Sequence, residues 1–182
     1  NSFSVLAIKA DGRTWWSWTT GSTPILQAEA GELKAAAAGY GQTLLLKADG
    51  TVLSFSANGN GFGNLGDGTT TYRDTPGPVV DIASIVQVAA GDWHGLALDA
   101  TGNVWSWGLD ASGQLGRGRL LSRAVPAAVS GLNDIVQVSA GYSHSLALDQ
   151  DGSVWAWGSN GYAELGDGSY RDSGPPVRLS TI

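Results

Sequence analysis

The sequence predicts an all-β chain of β-propeller blades, each a four-stranded antiparallel sheet, with about four blades forming a half or partial propeller. Three observations predict it. A block of linked motifs returns about every fifty residues. Within each block, apolar and polar residues alternate with the period of two that a strand requires. Glycine, 27 of 182 residues, falls between these runs at turn positions, and no stretch carries a helical apolar stripe.

The repeat is clearest from Ala90 to Gly108, AGDWHGLALDATGNVWSWG, and from Ala140 to Gly158, AGYSHSLALDQDGSVWAWG. An earlier copy, Ala38 to Ser56, reads AGYGQTLLLKADGTVLSFS, and a weaker one opens the chain from Ser2 to Trp18. Approximate repeat boundaries are 1–37, 38–89, 90–139 and 140–182, all within one repeat domain. In each copy the HxLAL and VWxWG runs read as two strands joined by a tight turn, Asp49-Gly50, Thr101-Gly102 or Asp151-Gly152, with Asp11-Gly12 in the first copy. IVQV at Ile85 and Ile135 supplies a strand before AG, and the alanine run Ala35 to Ala38 aligns with it. Segments around Pro78, Pro126 and Pro176 supply a fourth strand. A further element follows: NLGDG at Asn64, QLGRG at Gln114, ELGDG at Glu164.

The alternation predicts a bulky sheet face (Leu146, Leu148, Trp155, Trp157) and a small one (Ala147, Ala156) that nest blade on blade. Copy one has an extra residue in Trp15-Trp16-Ser17-Trp18 and lacks the LGxG element, so Gly21 to Lys34 is expected to be irregular.

Composition narrows the function. The net charge of −6 and pI of 4.6 argue against nucleic acid as a partner. No apolar run reaches the ~18 residues of a membrane helix, and no membrane partner is expected. The absence of cysteine excludes a disulfide framework and a thiolate nucleophile. There is no GxSxG, HExxH or P-loop, and no catalytic residue, metal site or cofactor is nominated. Gly59 to Gly63 is glycine-rich, but it precedes strands rather than a helix, which makes a phosphate cradle a weak reading.

The combination AGxxHxLAL, DGxVWxWG and GQLGxG resembles the regulator-of-chromosome-condensation repeat, closely over residues 84–182 and more loosely towards the N-terminus. The resemblance implies seven-bladed propellers. It also implies a range of roles: nucleotide exchange on a small nuclear GTPase, ubiquitin-ligase modules, inhibitors of hydrolytic enzymes and bacterial surface proteins. No exchange-factor residue carries over by motif, and fold does not fix function.

His94 and His144 align with Gln42 and Ser4, an exchange that metal ligation would not tolerate, so a buried hydrogen-bonding role is expected. Asp149-Gln-Asp151-Gly152 looks like a calcium loop, but its aligned copies lack the ligands, and a hairpin turn is the better reading. Asp67 and Asp167 are read as turn residues. Tyr72-Arg73-Asp74 and Tyr170-Arg171-Asp172 are read as turns with a local ion pair.

Strand direction puts the AGxx turns and the loops from WG to LGxG on one face, with the DG hairpins opposite. A specific site belongs where one copy departs from the others. Candidates on the AGxx face are Tyr40, Asp92, Trp93 and Tyr142. The third copy adds Arg117, Arg119, Leu120, Leu121 and Arg123, suited to an acidic partner, unless the leucines pack beneath their own loop. The expected function is a non-enzymatic protein-interaction scaffold. The alternatives are a carbohydrate- or surface-binding module of a bacterial exterior protein, an exchange-factor-like regulator of a small GTPase and, less favoured, a polysaccharide-active enzyme. Low lysine and acidity favour a bacterial exterior location. Because four blades leave sheet faces bare, self-association to close a ring, or membership of a longer propeller, is expected.

Overall fold

The computed structural model describes residues 32–56 and 58–179, together with the strand backbones Val5–Ile8, Thr14–Ser17 and Ile25–Gln27. Ser4, Trp18 and the Asp11-Gly12 turn lie outside the described residues. Fifteen strands and no helix are present among the described residues. Sheet I holds β1 (Val5–Ile8), β2 (Thr14–Ser17) and β3 (Ile25–Gln27). Sheet II is β4 (Leu33–Ala38), β5 (Thr43–Lys47), β6 (Val52–Phe55) and β7 (Gly77–Pro78). Sheet III is β8 (Ile85–Ala90), β9 (His94–Asp99), β10 (Val104–Gly108) and β11 (Arg123–Ala128). Sheet IV is β12 (Ile135–Ala140), β13 (His144–Asp149), β14 (Val154–Gly158) and β15 (Ser173–Arg178). Sheets II to IV are antiparallel meanders in chain order, and successive sheets meet through their first and second strands. This is a partial propeller.

Where it is described, the stretch Gly21 to Lys34 holds regular strand that its sequence does not predict. Ile25–Gln27 pairs with β2, and Leu33 and Lys34 begin β4. A polar-looking segment can still complete a sheet, because ladder hydrogen bonds do not depend on side chains.

The pairing register also corrects the expected division into a bulky and a small face. Leu146 stands opposite Ala156 and Leu148 opposite Val154, while Ala147 stands opposite Trp155 and Ser145 opposite Trp157. Residues directly opposite share a face, so each face takes its bulk from one strand and its small residues from the next. One face is leucine-rich and the other tryptophan-rich.

Sheets stack leucine face against tryptophan face. Leu96, Leu98 and Val104 of sheet III pack on Ala147, Trp155 and Trp157 of sheet IV. Leu44, Leu46 and Val52 of sheet II pack in the same way on Ala97, Trp105 and Trp107 of sheet III. Each such Leu or Val contributes roughly 1.5–3 kcal/mol by leaving water. On the opposite face of sheet II, Leu45, Leu53 and Phe55 occupy the Ala97, Trp105 and Trp107 positions and pack with Leu33. A larger residue on β5 there accompanies smaller side chains on β6.

Polar groups lock the stack. The Trp107 indole N–H donates to the Asn64 carbonyl at 3.0 Å, and that of Trp157 donates to the Gln114 carbonyl at 2.9 Å. Each acceptor sits just before the LG of the preceding sheet's LGxG loop. Gly66 and Gly116 have φ of +64° and +72°, and a Cβ on either would stand 2.8 or 2.9 Å from the incoming indole nitrogen. The LGxG and WxWG motifs are therefore two halves of one joint. Copy one lacks LGxG, and Phe55, which has no indole N–H, stands where the next copy has Trp107.

Between the innermost strands β8 and β12, Gln87 pairs its side-chain amide with the backbone of Val138, accepting from N and donating to O, each at 3.0 Å. His94 is fully buried with Nε2 3.0 Å from the Ser145 hydroxyl, which itself donates to the Gln114 carbonyl. That chain of donors makes Nε2 the protonated nitrogen. The expected buried, hydrogen-bonding role thus holds for His94, whose partner Ser145 is on β13 of the neighbouring sheet. His144, half-buried, makes no such bond among the described residues.

Candidate interaction face

The turn and loop elements sort to two ends. Leu109 N–H donates to the Trp93 carbonyl and Ser159 N–H to the Ser143 carbonyl, which ties each WG loop to its own AGxx turn. Ala100 and Gln150 donate to Ser84 and Asp134, which puts the DG hairpins at the opposite end, beside the start of the first strand of their own sheets. Asp99 and Asp149 cap their own hairpins: each Oδ1 accepts backbone N–H groups across the turn, and each Oδ2 accepts the indole of Trp105 or Trp155. These bonds hold the Asp99 and Asp149 carboxyls below the usual range. Among the described residues no group of three or more acidic or histidine side chains is placed to hold a metal ion.

At the AGxx end the turns of successive sheets are stitched together. Gly41 N–H donates to the Asp92 carbonyl, and Asp92 N–H donates to the Tyr142 carbonyl. Glycine is required there, since a Cβ on Gly91 would strike the His94 ring and stand 2.7 Å from the Gly141 carbonyl oxygen. Trp93 lies between sheets II and III with two aromatic neighbours edge-on. Tyr40 and Phe62 each have their ring centroid 5.5 Å from it, with interplanar angles of 68° and 77°. Tyr40 is 56% exposed, and Phe62 is exposed as well. Asp92 beside them is half-buried, and burial raises its carboxyl above the ordinary value. Tyr142, 71% exposed, stands on the next turn without an aromatic neighbour among the described residues.

Phe62 was not among the residues nominated from sequence. The signal was available: its aligned positions are Ser112 and Tyr162, so it varies as surface residues do.

The arginine-bearing loop is on the same face but at its outer rim. Arg123 opens β11, the outermost strand of sheet III, opposite Gly108. Leu120 and Leu121 are 64% and 66% exposed, so they do not pack beneath their loop. The backbone bond from Leu121 N–H to the Arg119 carbonyl holds them in a tight turn at the surface.

Inside this loop the third copy exchanges two residue types. Asn60 and Asn160 are buried and accept the N–H of Leu65 and Leu165, and Asn160 also donates to Asp167. The third copy has Asp110 and Arg117 at these two positions. Asp110 accepts the Leu115 N–H, while its Oδ2 and Arg117 Nη1 are buried without a hydrogen-bond partner. Burial pushes Asp110 up and Arg117 down, and Arg123 and Arg119 crowd Arg117 further.

Asp67 and Asp167 cap the N–H groups of Thr69 and Ser169, as turn residues do. The expected local pairs do not form. Arg73 bridges to Asp67 at 3.3 Å and bonds Ser54, and Asp172 instead accepts the Asn160 N–H. These partners lie beyond the adjacent residue, on the return of the same loop or on the neighbouring strand, and adjacency did not point to them.

The sequence model of the regulator of chromosome condensation (RCC1) repeat matches residues 49–98 and 101–148, more than half of the chain. The chain belongs to the RCC1 repeat family. A second RCC1 repeat model matches residues 85–114 and 135–164. The fold is similar to that of human WBSCR16, with a TM-score of 0.85 at 22% identity over 98% of this chain and 51% of that one. It is similar also to yeast RCC1 (Prp20) in a structure with Kap60 bound, at 0.82 and 21% over 98% and 47%. A structure of Prp20p from Saccharomyces cerevisiae, a study that also covers its binding to Gsp1p and histones, gives 0.82 and 21% over 98% and 49%. The chain spans about half the length of each. These likenesses establish the propeller fold of this RCC1 repeat chain.

Proposed function

We propose that this RCC1 repeat chain is a non-enzymatic protein-interaction scaffold whose AGxx face receives a macromolecular partner. The observation that carries the reading is the aromatic group at the junction of sheets II and III. Trp93, Tyr40 and Phe62 are mutually braced, partly exposed, and absent from the aligned positions of the next junction, where Asp92, Ser143 and Ser112 stand. Braced aromatics lose little freedom on binding and are the residue type that anchors interfaces. The rim arginines Arg117, Arg119 and Arg123, flanked by the exposed Leu120 and Leu121, suit an acidic segment of that partner. The RCC1 proteins crystallised or studied with Kap60, Gsp1p and histones support a protein partner for the family's fold.

The test is affinity capture with the full chain, the retained protein being identified and the binding then repeated with both components purified. Trp93→Ala and the pair Arg117→Glu/Arg119→Glu should each weaken it tenfold or more. Saturable binding on a sugar array that Trp93→Ala abolishes would establish the carbohydrate-binding alternative instead. Capture untouched by both sets of changes would show that the partner uses another surface.

A further inference from the structure

The end of the molecule that carries the DG hairpins holds a cleft of about 290 Å³ within sheet IV. Asn133 and Asp134 enter it just before β12, and Gln150 and Asp151 enter it from the turn between β13 and β14. Trp155 and Arg178 line it from directly opposite positions on β14 and β15. Residues directly opposite share a face, so Arg178 joins Trp155 on the tryptophan-rich face that packs toward sheet III.

Two of these groups are held in place. The Trp155 indole N–H donates to Asp149 Oδ2 at 3.1 Å, and the Arg178 guanidinium donates to the Ser153 hydroxyl at 2.6 Å. Among the described residues, the side chains of Asn133, Asp134, Gln150 and Asp151 have no hydrogen-bond or ion-pair partner. Sheet III shows the same place without such fittings. It keeps the clamp, with Trp105 on Asp99 at 3.0 Å, but has Ala83, Ser84, Ala100, Thr101 and Ala128 at the five aligned positions. Its hairpin also closes on itself, because the Thr101 hydroxyl and the Asn103 amide both donate to the Asp99 carboxylate. An ionised Asp151 has no proton to give Asp149, and Ser153, at the Asn103 position, accepts from Arg178 instead. The clamp is therefore scaffold, and the five exchanges from short to longer polar side chains are what sheet IV adds.

We infer that this cleft is a binding site for a neutral saccharide. Its groups choose among ligand chemistries. A simple cation would face Arg178, and a simple anion would face Asp134 and Asp151. A polyol suits both kinds of group, since each hydroxyl donates one hydrogen bond and accepts others. The carboxylates take the donated bonds, while the guanidinium and the amides of Asn133 and Gln150 supply the accepted ones. The clamped indole offers apolar surface to the C–H groups of a sugar ring. A volume of about 290 Å³ lies at the small end of ligand clefts, which suits a terminal sugar unit rather than a long chain. The site lies at the end of the molecule opposite Trp93 and is independent of the loop face proposed above.

The test titrates the isotope-labelled full chain with glucose, galactose, mannose, N-acetylglucosamine and their disaccharides. The reporter is the Trp155 indole N–H resonance, identified by its loss in Trp155→Phe. At least one sugar should shift it saturably while the buried Trp157 indole stays still. Arg178→Ala and Asp151→Ala, both at exposed positions, should each weaken binding about tenfold or more and leave the unfolding midpoint nearly unchanged. Trp93→Ala should leave the titration unaltered, which separates this site from sugar binding on the loop face. The inference is overturned if no sugar moves the reporter, or if the shifts survive Arg178→Ala and Asp151→Ala together. It is overturned equally if argininamide or inorganic phosphate saturates the reporter and no sugar does, since the cleft then reads charge.

Discussion

The junction between sheets II and III and the junction between sheets III and IV share an apolar pattern and differ in how their polar centre is met. In the second, the His94 imidazole, the Ser145 hydroxyl and the Gln114 carbonyl form a continuous chain, and Trp157 donates to the same carbonyl. In the first, Gly95 replaces Ser145 because the Trp107 ring lies against it, and Gln42, in the place of His94, is buried with both amide atoms unpartnered. The apolar seat and the indole joint are what the repeat needs, and they are copied. The hydroxyl clasp is an addition that one junction does without. Above it, on the loop face, that same junction carries Trp93, Tyr40 and Phe62.

The comparison is sharpest where the junctions agree. Trp107→Ala and Trp157→Ala should each cost about 3–5 kcal/mol, measured by urea unfolding, since both rings are fully buried; the first also takes the indole donor from the Asn64 carbonyl, whereas the Gln114 carbonyl keeps the Ser145 hydroxyl. A clearly smaller loss for one would mean that its joint is not the element holding its blade.

Next in size is a pH effect confined to the second junction. Burial, with a contribution from nearby His144, lowers the His94 imidazole from about 6.5 to about 3. The unfolded chain takes up a proton below pH 6.5 that the folded chain refuses. The corresponding stability is complete above pH 6.5 and declines as pH falls towards 3, by about 1.4 kcal/mol per pH unit. The hairpin carboxylates Asp99 and Asp149 are held low, while burial raises Asp92 and Asp110, whose contribution to stability grows as pH falls, so the histidine is isolated by the difference between two sets of denaturation curves from pH 6.5 to 4.5, with and without His94. His94→Gln, which reproduces the first junction's residue, should flatten the slope. An unchanged slope would assign the acid sensitivity elsewhere.

The blade pattern was legible because two periodicities coincide: alternation within strands and the return of AG, DG and LGxG every fifty residues. The faces were not read correctly, because Leu146 and Trp155 look alike as bulky positions until the register shows them on opposite sides of the sheet. Phe62 was passed over because its glycine-rich setting was weighed as an anion cradle, and its ring contact with Trp93 crosses a blade boundary. The Arg73 bridge to Asp67 was missed for a related reason: proximity made by a loop's return leaves no mark in local sequence.

Smaller again is the clasp itself. Ser145→Ala leaves His94 Nε2 buried without an acceptor and should cost about 1–3 kcal/mol, whereas Gln42→Leu replaces an already unpartnered amide and should be neutral or stabilising. Equal losses from the two changes would erase the distinction between the junctions.

The smallest stability effects belong to the loop face, and there the junctions should part in function instead. Trp93→Ala gives up two edge-on ring contacts at a partly exposed site, about 0.5–1.5 kcal/mol, and Tyr142→Ala, with no ring neighbour among the described residues, should stay within about 0.5 kcal/mol. Partner affinity should follow a different order of magnitude, with Trp93→Ala weakening binding tenfold or more and Tyr142→Ala far less. The reason is preorganisation: Trp93 is already held by Tyr40, Phe62 and the stitched AGxx turns, so a partner does not have to order it. Equal binding losses from Trp93→Ala and Tyr142→Ala, read by titration calorimetry against a purified partner, would show that exposed area rather than bracing selects the contact residues.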